Sequence, residues 1–226
     1  MSEPKEPLVY IVSGDSLYNR MYLKAGWGLA FTPLEADLIQ FTGGADVTPS
    51  LYGERKHATT QCDPQRDKRE MVLYAQAVKH GIPMVGICRG AQFLNVMNGG
   101  KMWQDVDNHA ISHTHEVLDH FSGEGYQVTS THHQMMNPNY DEAVIIATAQ
   151  ETSFTEHMDG EMAHCIRYPR GTNMDTEVVF YPKTNCLCFQ PHPEYGGSPE
   201  MTRKFFEYID MFTHNSQDWV GETCAA

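Results

Sequence analysis

The alternation of short apolar runs with helical patterns constrains this chain most. The runs "LVYIVS" and "ADLIQF", near residues 8 and 36, each end at glycines, and "PMVGI" at residue 83 leads into a third turn. A helical pattern covers residues 17–25, and another follows the third run. Runs of this length between helices are typical of buried parallel strands. The sequence therefore predicts an α/β fold, with a mostly parallel sheet covered by helices on both faces and a small antiparallel extension.

Two further helices carry clear start signals. One is predicted to begin at Asp63, which precedes a proline, and to end at Gly81. The residues predicted to form its apolar face are Met71, Ala75 and Val78. The last helix is predicted to start at Ser198, again before a proline. Its apolar positions are Met201, Phe205, Tyr208, Ile209 and Phe212. Between residues 109 and 182, "EAVIIATA" and "TEVVFY" are interpreted as strands, antiparallel by their setting.

Length and charge narrow the class of protein. A chain of 226 residues with 41% apolar residues can bury one sizeable core, so residues 1–226 are predicted to form a single domain. The formal net charge of −13 argues against nucleic acid and anionic membranes as partners. We recognise neither a leader peptide nor a long apolar span, so a soluble cytoplasmic protein with reduced cysteines is expected.

The stretch "GICRG" places Cys88 between Gly86 and Gly90, where an apolar run meets a helix. This pattern predicts a tight strand-to-helix turn that holds Cys88 in a strained conformation, with its side chain clear of its own backbone. Such a turn also puts the sulfur at a helix N-terminus, which stabilises a thiolate. An ordinary buried thiol flanked by turn glycines is the other interpretation of the stretch.

A partner for the thiol is predicted in "QPHPE". His192 and Glu194 are separated by one proline, so in an extended segment both side chains project to one side. The histidine can take the thiol proton while the glutamate orients its ring. Alone, the triplet could equally be a solvated loop, but following an elbow cysteine it indicates a Cys-His-Glu site.

The stretch "FTGGADVTP" supplies a third piece. Gly43 and Gly44 end a strand and can bring bare backbone N–H groups close to a ligand. Either could join the Arg89 N–H in an oxyanion hole, although a simple glycine turn would explain the pair as well.

Together, "TGGADVTPSLYGE", "RDKRE", "GICRGAQFLNVMNGG", "STHHQ" and "QPHPE" resemble the class I glutamine amidotransferase superfamily. More narrowly, they resemble its γ-glutamyl hydrolase-like branch, peptidase family C26. The resemblance implies a flavodoxin-like core and a triad of Cys88, His192 and Glu194. It further implies that Gln92 helps to hold the α-amino and α-carboxylate end of a γ-glutamyl group. His132, His133 and Gln134 are candidate substrate contacts near the leaving group.

The residue before the predicted catalytic histidine departs from that pattern. The family usually has an aromatic residue before the histidine, where this chain has Pro191. From the residues alone, Gln92 is a polar residue in the first turn after the elbow and is expected to be exposed.

The expected chemistry is hydrolysis of a γ-glutamyl amide through a thioester on Cys88, with neither a metal nor a cofactor. Three alternatives stay open. A metal hydrolase would use the histidine-rich middle, but no carboxylate or cysteine sits there at a familiar ligand spacing. The histidines concerned are His109, His113, His115, His120, His132 and His133. A glutaminase subunit would pass ammonia to a separate synthase or ligase, and a non-catalytic binding module would use the same scaffold. The sequence predicts neither the leaving amine nor an oligomeric state.

Overall fold

The computed structural model describes residues 6–106, 109–149, 156–158, 160, 166–167 and 175–213. For residues 111–113, 156–158 and 166–167 the description covers the backbone only. The side chain of His113 and all of Cys165 and Cys224 therefore lie outside the described part.

Fourteen strands and four α-helices make up the described fold. The strands are β1 (Leu8–Ile11), β2 (Gly28–Leu29), β3 (Leu38–Phe41), β4 (Met84–Ile87), β5 (Lys101–Trp103), β6 (Asp105–Val106), β7 (Ala110–Asp119), β8 (Gly125–Thr131), β9 (Met135–Asn137), β10 (Val144–Ala149), β11 (Glu156–Met158), β12 (Ile166–Arg167), β13 (Thr176–Tyr181) and β14 (Cys186–Phe189). The helices are α1 (Ser16–Lys24), α2 (Pro64–His80), α3 (Arg89–Met97) and α4 (Pro199–Tyr208), the last continued by a π-helical turn at Ile209–Thr213.

Nine strands form one mixed sheet in the order β2-β1-β3-β4-β14-β13-β10-β7-β8. The first five are parallel to one another, and the four from β13 onwards run antiparallel to their neighbours. Two short sheets, β12-β11-β6 and β5-β9, lie outside it. The predicted α/β class is confirmed. The two segments predicted as antiparallel strands in the middle of the chain are β10 and β13, and the structure pairs them with each other.

Helices cover both faces of the parallel half, as predicted. One apolar cluster contains side chains of α1 and α4, and the other contains side chains of α2 and α3. Strand β4 contributes to both, since Val85 and Ile87 belong to the first cluster and Met84 to the second. Because successive side chains of a strand point to opposite faces of the sheet, the buried strand β4 contributes side chains to both apolar clusters.

The predicted caps of α2 and α4 are present, but the predicted apolar face of α2 is wrong. The Asp63 carboxylate accepts from the N–H of Arg66 at 3.0 Å, and Gly81 closes α2 in the left-handed region at φ 66°. Met71, Ala75 and Val78 are exposed. The residues of α2 that are buried are Asp67, Glu70 and Ala77. Charged side chains occupy this face because they pair with a buried arginine, described below.

Two further predictions concern membrane-spanning helices and the oxidation state of the cysteines. Within the described ranges, no helix has both the length and the apolar character that a membrane crossing requires. Cys62, Cys88, Cys186 and Cys188 are all free thiols.

Candidate active site

Cys88 lies in the turn between β4 and α3 and has the strained backbone that the sequence predicts. Its φ is 51° and its ψ is −114°, a region that residues other than glycine rarely adopt. The Cys88 N–H donates to the Phe189 carbonyl at 3.0 Å, and its own carbonyl accepts from the Gln92 N–H at 3.0 Å. These two bonds tie the turn to β14 and to the first turn of α3.

The flanking glycines are required by close packing of the turn. A Cβ on Gly86 would overlap the backbone of Gly90 and Ala91, and a Cβ on Gly90 would overlap the Phe41 carbonyl. Helix α3 can therefore start directly over β3 and β4 only because both positions lack side chains. The glycines therefore do more than form a turn, because the packing leaves no room for a side chain at either position.

His192 and Glu194 follow β14 and approach Cys88 from the neighbouring strand end. The His192 Nδ1 lies 2.6 Å from Glu194 Oε1. The His192 ring and Cys88 both lie against Gly43, where an added Cβ would be 3.3 Å from His192 Cε1 and 3.9 Å from Cys88 Cβ. Burial lowers the pKa of His192, but its interactions with Cys88 and Glu194 outweigh this effect and raise the pKa to about 10. The three residues thus form an array at the elbow, in which a thiol lies beside an imidazole that a carboxylate holds.

Two tyrosines that the sequence analysis did not single out support this array. The Tyr195 ring stacks on the His192 ring, with 4.4 Å between centroids and 4° between planes. The Tyr18 hydroxyl, from α1, accepts from the Gly43 N–H at 3.0 Å. Burial and the nearby charge of Glu194 raise the pKa of Tyr18, so it stays protonated. Tyr195 directly follows the "HPE" triplet and could have been found, whereas nothing local marks Tyr18.

The two glycines considered for an oxyanion hole differ in what their N–H groups do. The Gly43 N–H is engaged by Tyr18. Gly44 has φ 138°, and a Cβ there would overlap the Arg66 guanidinium. Arg89 is the first residue of α3, so its N–H is one of those that a helix leaves without an internal acceptor. Gly44 and Arg89 therefore stay the candidate pair of donors, and both line the cavity described below.

The Arg89 side chain turns away into a buried charge cluster, which the sequence analysis did not predict. It pairs with Asp67 and Glu70 of α2 and donates to the Ala45 carbonyl at 3.2 Å. Glu70 also pairs with Arg66 at 2.6 Å, and Arg66 donates to the Gly43 carbonyl at 2.8 Å. The cluster therefore holds the elbow and the glycine loop in one relative position.

A cavity of about 330 Å³ opens in front of the Cys88 turn. Seven of the predicted site residues line it, namely Gly44, Cys88, Arg89, Gln92, His132, His133 and Gln134. The expectation that Gln92 is exposed is wrong. Gln92 is 2% exposed, and its amide donates to the Gln134 carbonyl at 3.1 Å and to Gln190 Oε1 at 3.2 Å. Helix α3 is buried along nearly its whole length, so even its polar positions face protein.

The segment after β8 forms the opposite wall of the cavity. The His132 Nδ1 donates to the Gln134 carbonyl at 2.8 Å, and burial lowers the pKa of His132 to about 3, so its ring is neutral. His133 Nε2 lies 3.3 Å from Asp46 Oδ1, and this contact raises the pKa of His133 despite some burial. The wall thus carries one neutral imidazole and one imidazole paired with a carboxylate.

The remaining described histidines of the middle region do not all gather together. His120 lies apart, with Nε2 3.1 Å from the Thr148 hydroxyl. His109 and His115 lie near His132. Two carboxylates join them, that of Glu177 in β13 and that of Asp175 just before β13. His109, His132 and Glu177 could hold a metal ion. Spacing could not reveal this group because its carboxylates come from a distant part of the chain.

Comparison with known proteins places this chain in a family. The sequence profile of Peptidase C26 matches residues 34–166. A glutamine amidotransferase-like protein, the YvdE homolog of Lactococcus lactis subsp. cremoris, is 38% identical over 47% of this chain and 66% of that protein. The gamma-glutamyl-gamma-aminobutyrate hydrolase of Escherichia coli O157:H7 is 27% identical over 76% of this chain and 69% of that protein.

A solved structure agrees with the fold. A glutamine amidotransferase from Thermotoga maritima matches with a TM-score of 0.58 over 95% of this chain and 92% of that chain, at 14% identity. The chain spans between 50% and 66% of the length of the two Lactococcus relatives that it matches. The match of the family profile to more than half of the residues identifies this chain as a member of the peptidase C26 family, with the flavodoxin-like α/β fold of the glutamine amidotransferases.

Proposed function

We propose that this protein is a cysteine-dependent hydrolase that cleaves γ-glutamyl amide bonds through a γ-glutamyl thioester. The observation that carries the proposal is the array at the elbow. Cys88 lies beside His192, whose ring is held by Glu194 at 2.6 Å and whose pKa is raised in part by the neighbouring Cys88. A thiol at a helix N-terminus beside an oriented imidazole is the arrangement that activates a cysteine nucleophile.

The first half of the reaction is acylation. The Cys88 sulfur attacks the γ-carbonyl carbon, and the negative charge on the carbonyl oxygen is stabilised by the N–H groups of Gly44 and Arg89. The C–N bond then breaks as the departing amine takes a proton from the His192 imidazolium. A γ-glutamyl thioester on Cys88 and a free amine result.

Hydrolysis of the thioester completes the cycle. His192, now neutral, takes a proton from a water molecule that attacks the thioester carbonyl. The C–S bond breaks, glutamate leaves, and the sulfur again lies beside the His192 imidazolium. Glu194 keeps the ring oriented throughout, and Tyr195 restricts its rotation by stacking on it.

The cavity suits a small zwitterionic substrate. Its volume of about 330 Å³ is at the small end for a ligand site. Its wall includes the carboxylate of Asp46 and the imidazole of His133, which pair with each other, and the buried amide of Gln92. These groups can complement the α-ammonium and α-carboxylate of a γ-glutamyl group, which supports the substrate class. The name of the Escherichia coli relative supports the same class.

A panel of γ-glutamyl compounds tests the proposal on the isolated chain. It contains glutamine and the γ-glutamyl amides of γ-aminobutyrate, a diamine and an aromatic amine. We expect at least one to release glutamate, with the activity lost in Cys88→Ala and retained in Cys62→Ala, a change at a free thiol outside the array. No hydrolysis of any member by the wild type would sink the stand-alone hydrolase.

The second candidate is a glutaminase subunit that delivers ammonia to a synthase or ligase. It is supported by the similarity to glutamine amidotransferase-like relatives. The similar region spans only 66% and 50% of the length of the two Lactococcus relatives. In that case glutamine would be the substrate, and its turnover would rise when the partner is added. A non-catalytic module would react with no glutamine-analogue electrophile at Cys88.

A further inference from the structure

Three buried side chains meet behind the cavity wall. His109 lies just before β7, His132 follows β8, and Glu177 lies in β13. One ligating atom from each of them lies within 4.8 Å of the others, and none of the three residues is more than 4% exposed. Within the described part of the chain, this is the group whose donor atoms converge closely enough to hold a metal ion.

Two of these side chains present polar atoms that the described residues leave unsatisfied. His132 Nε2 and Glu177 Oε2 are buried and have no hydrogen-bond partner there. Buried polar atoms are nearly always satisfied by protein, by water or by an ion, since leaving them bare costs free energy. A ligand between His132 and Glu177 accounts for both atoms at once.

The hydrogen bonds around the group are those that orient metal ligands. His132 Nδ1 donates to the Gln134 carbonyl at 2.8 Å, which leaves a lone pair on Nε2. Asp175 Oδ2 lies 3.1 Å from His109 Nε2, and His109 Nδ1 lies 3.8 Å from Glu177 Oε1. Metal-binding histidines characteristically donate their second nitrogen to a carboxylate or a backbone carbonyl in this way.

We propose that His109 Nδ1, His132 Nε2 and the Glu177 carboxylate bind one Zn²⁺ ion. Two imidazoles and one carboxylate suit zinc, whereas Mg²⁺ and Ca²⁺ prefer oxygen ligands throughout. Zinc lies about 2.0–2.2 Å from such ligands, so binding draws the three side chains closer together. His109 Nδ1 lies 3.1 Å from the Ser130 hydroxyl, and zinc takes the place of the proton shared there.

The ion has a structural role and is separate from the thiol chemistry. It joins the segment containing His132, which forms a wall of the cavity, to β7 and β13 of the antiparallel part of the sheet. His115 holds Glu177 from the far side, with Nε2 3.0 Å from Oε1. Zinc therefore fixes the cavity wall to the sheet, whichever amide the enzyme cleaves.

Zinc binding to the 226-residue protein, after metal ions have been removed with a chelator, tests this proposal without reference to activity. Competition with a chromophoric chelator and elemental analysis would give affinity and stoichiometry. We expect one zinc per chain in the wild type and a loss of at least about 100-fold in affinity in Glu177→Gln and His132→Asn. Asp175→Asn should lose about 10–100-fold, since it removes only the partner of His109.

Matched controls lie on the same part of the fold. Glu116→Gln is on exposed β7 surface, and His120→Asn is a histidine outside the group, so both should bind zinc like the wild type. Co²⁺ added to the wild type should give the visible absorption of a tetrahedral site, which decides the matter even if Glu177→Gln fails to fold. A wild type that takes up neither Zn²⁺ nor Co²⁺, or a folded Glu177→Gln that binds zinc as the wild type does, would overturn the proposal and leave water as the occupant.

Discussion

Cys88 differs from the other described cysteines of the core in its backbone and in its surroundings. Cys186 and Cys188 lie in β14 and are fully buried. Burial raises the pKa of Cys186 to about 11 and raises that of Cys188 as well. Both thiols are therefore protonated at neutral pH and are held in the sheet. Cys88 lies at a helix N-terminus with φ 51°, and the His192 ring lies beside it. Reactivity with electrophiles should therefore concentrate on Cys88.

The raised pKa of His192 predicts how stability depends on pH. In the folded protein the pKa is about 10, against an ordinary value of 6.5, so between these values the folded state binds a proton that the unfolded state lacks. The contribution of His192 is complete below about pH 6.5 and is lost as pH rises towards 10. The difference in free energy of unfolding between wild type and His192→Gln, measured by urea denaturation, should therefore shrink across this range.

A second variant tests whether the pH dependence comes from the raised pKa of His192 and not from another titrating group. Glu194→Gln keeps His192 but removes its carboxylate partner at 2.6 Å, so the pKa of His192 should fall. The pH range over which the stabilising effect of His192 is lost should then move to lower pH. A difference between wild type and His192→Gln that stays constant from pH 6 to 10 would show that His192 does not carry a raised pKa.

The sequence predicts residues of the site well when they lie in short motifs. Cys88, His192 and Glu194 were identified from local patterns, and the structure brings them into contact. Their catalytic roles stay a prediction. The burial of Gln92 was not predictable, because the polarity of a residue says nothing about which element covers it. Tyr18 was missed for a similar reason, since its contact with Gly43 spans 25 residues.

At the scale of elements, the strand-to-helix turn depends on glycines that allow close contact. Gly90→Ala would place a Cβ against the Phe41 carbonyl of β3, so the backbone must shift. We expect a loss of about 1–3 kcal/mol in the free energy of unfolding, the usual range for overpacking. Thermal denaturation followed by circular dichroism would measure it. Gly197→Ala, where a Cβ meets nothing within 4 Å, is the control and should change stability much less.

The charged face of α2 predicts a strong dependence on Arg89. Arg89→Met would leave Asp67 and Glu70 buried without their main partner, which typically costs about 3–5 kcal/mol. Adding Asp67→Asn and Glu70→Gln should recover part of the loss, because the uncompensated charges are then removed. Chemical denaturation of the single and triple variants measures both steps.

Arg203→Met is the control for that experiment, since Arg203 is half-exposed and pairs with Glu207 on the surface of α4. It should leave stability nearly unchanged. An Arg89→Met protein as stable as the wild type would mean that the buried cluster does not hold α2 against the elbow. The helical period of α2 could not have shown that Asp67 and Glu70 are buried. Their burial depends on a salt bridge with Arg89, which lies on α3.

At the scale of the whole molecule, the parallel half of the sheet was more predictable than the antiparallel half, of which the sequence predicted β10 and β13 but not β7 and β8. Strands β1 and β4 are apolar runs, β3 is one apart from the buried Gln40, and each is followed by a turn that contains glycine. Such runs belong in the middle of a covered sheet. The antiparallel half contains β7 and β8, whose polar residues alternate with apolar ones and give a weaker signal. The organisation of residues 1–226 as one domain and the cytoplasmic location stay predictions.

The most direct measurement of the proposed chemistry is the intact mass of the protein during turnover. The protein is mixed with a γ-glutamyl amide that it hydrolyses, quenched in acid and analysed by mass spectrometry, using wild type, Cys88→Ala and Glu194→Gln. Glu194→Gln should slow the hydrolysis of the intermediate and accumulate it. We predict an added mass of one γ-glutamyl group, mapped by peptide digestion to Cys88 and absent from Cys88→Ala. Hydrolysis without any such adduct, or an adduct that persists in Cys88→Ala, would contradict a thioester on Cys88.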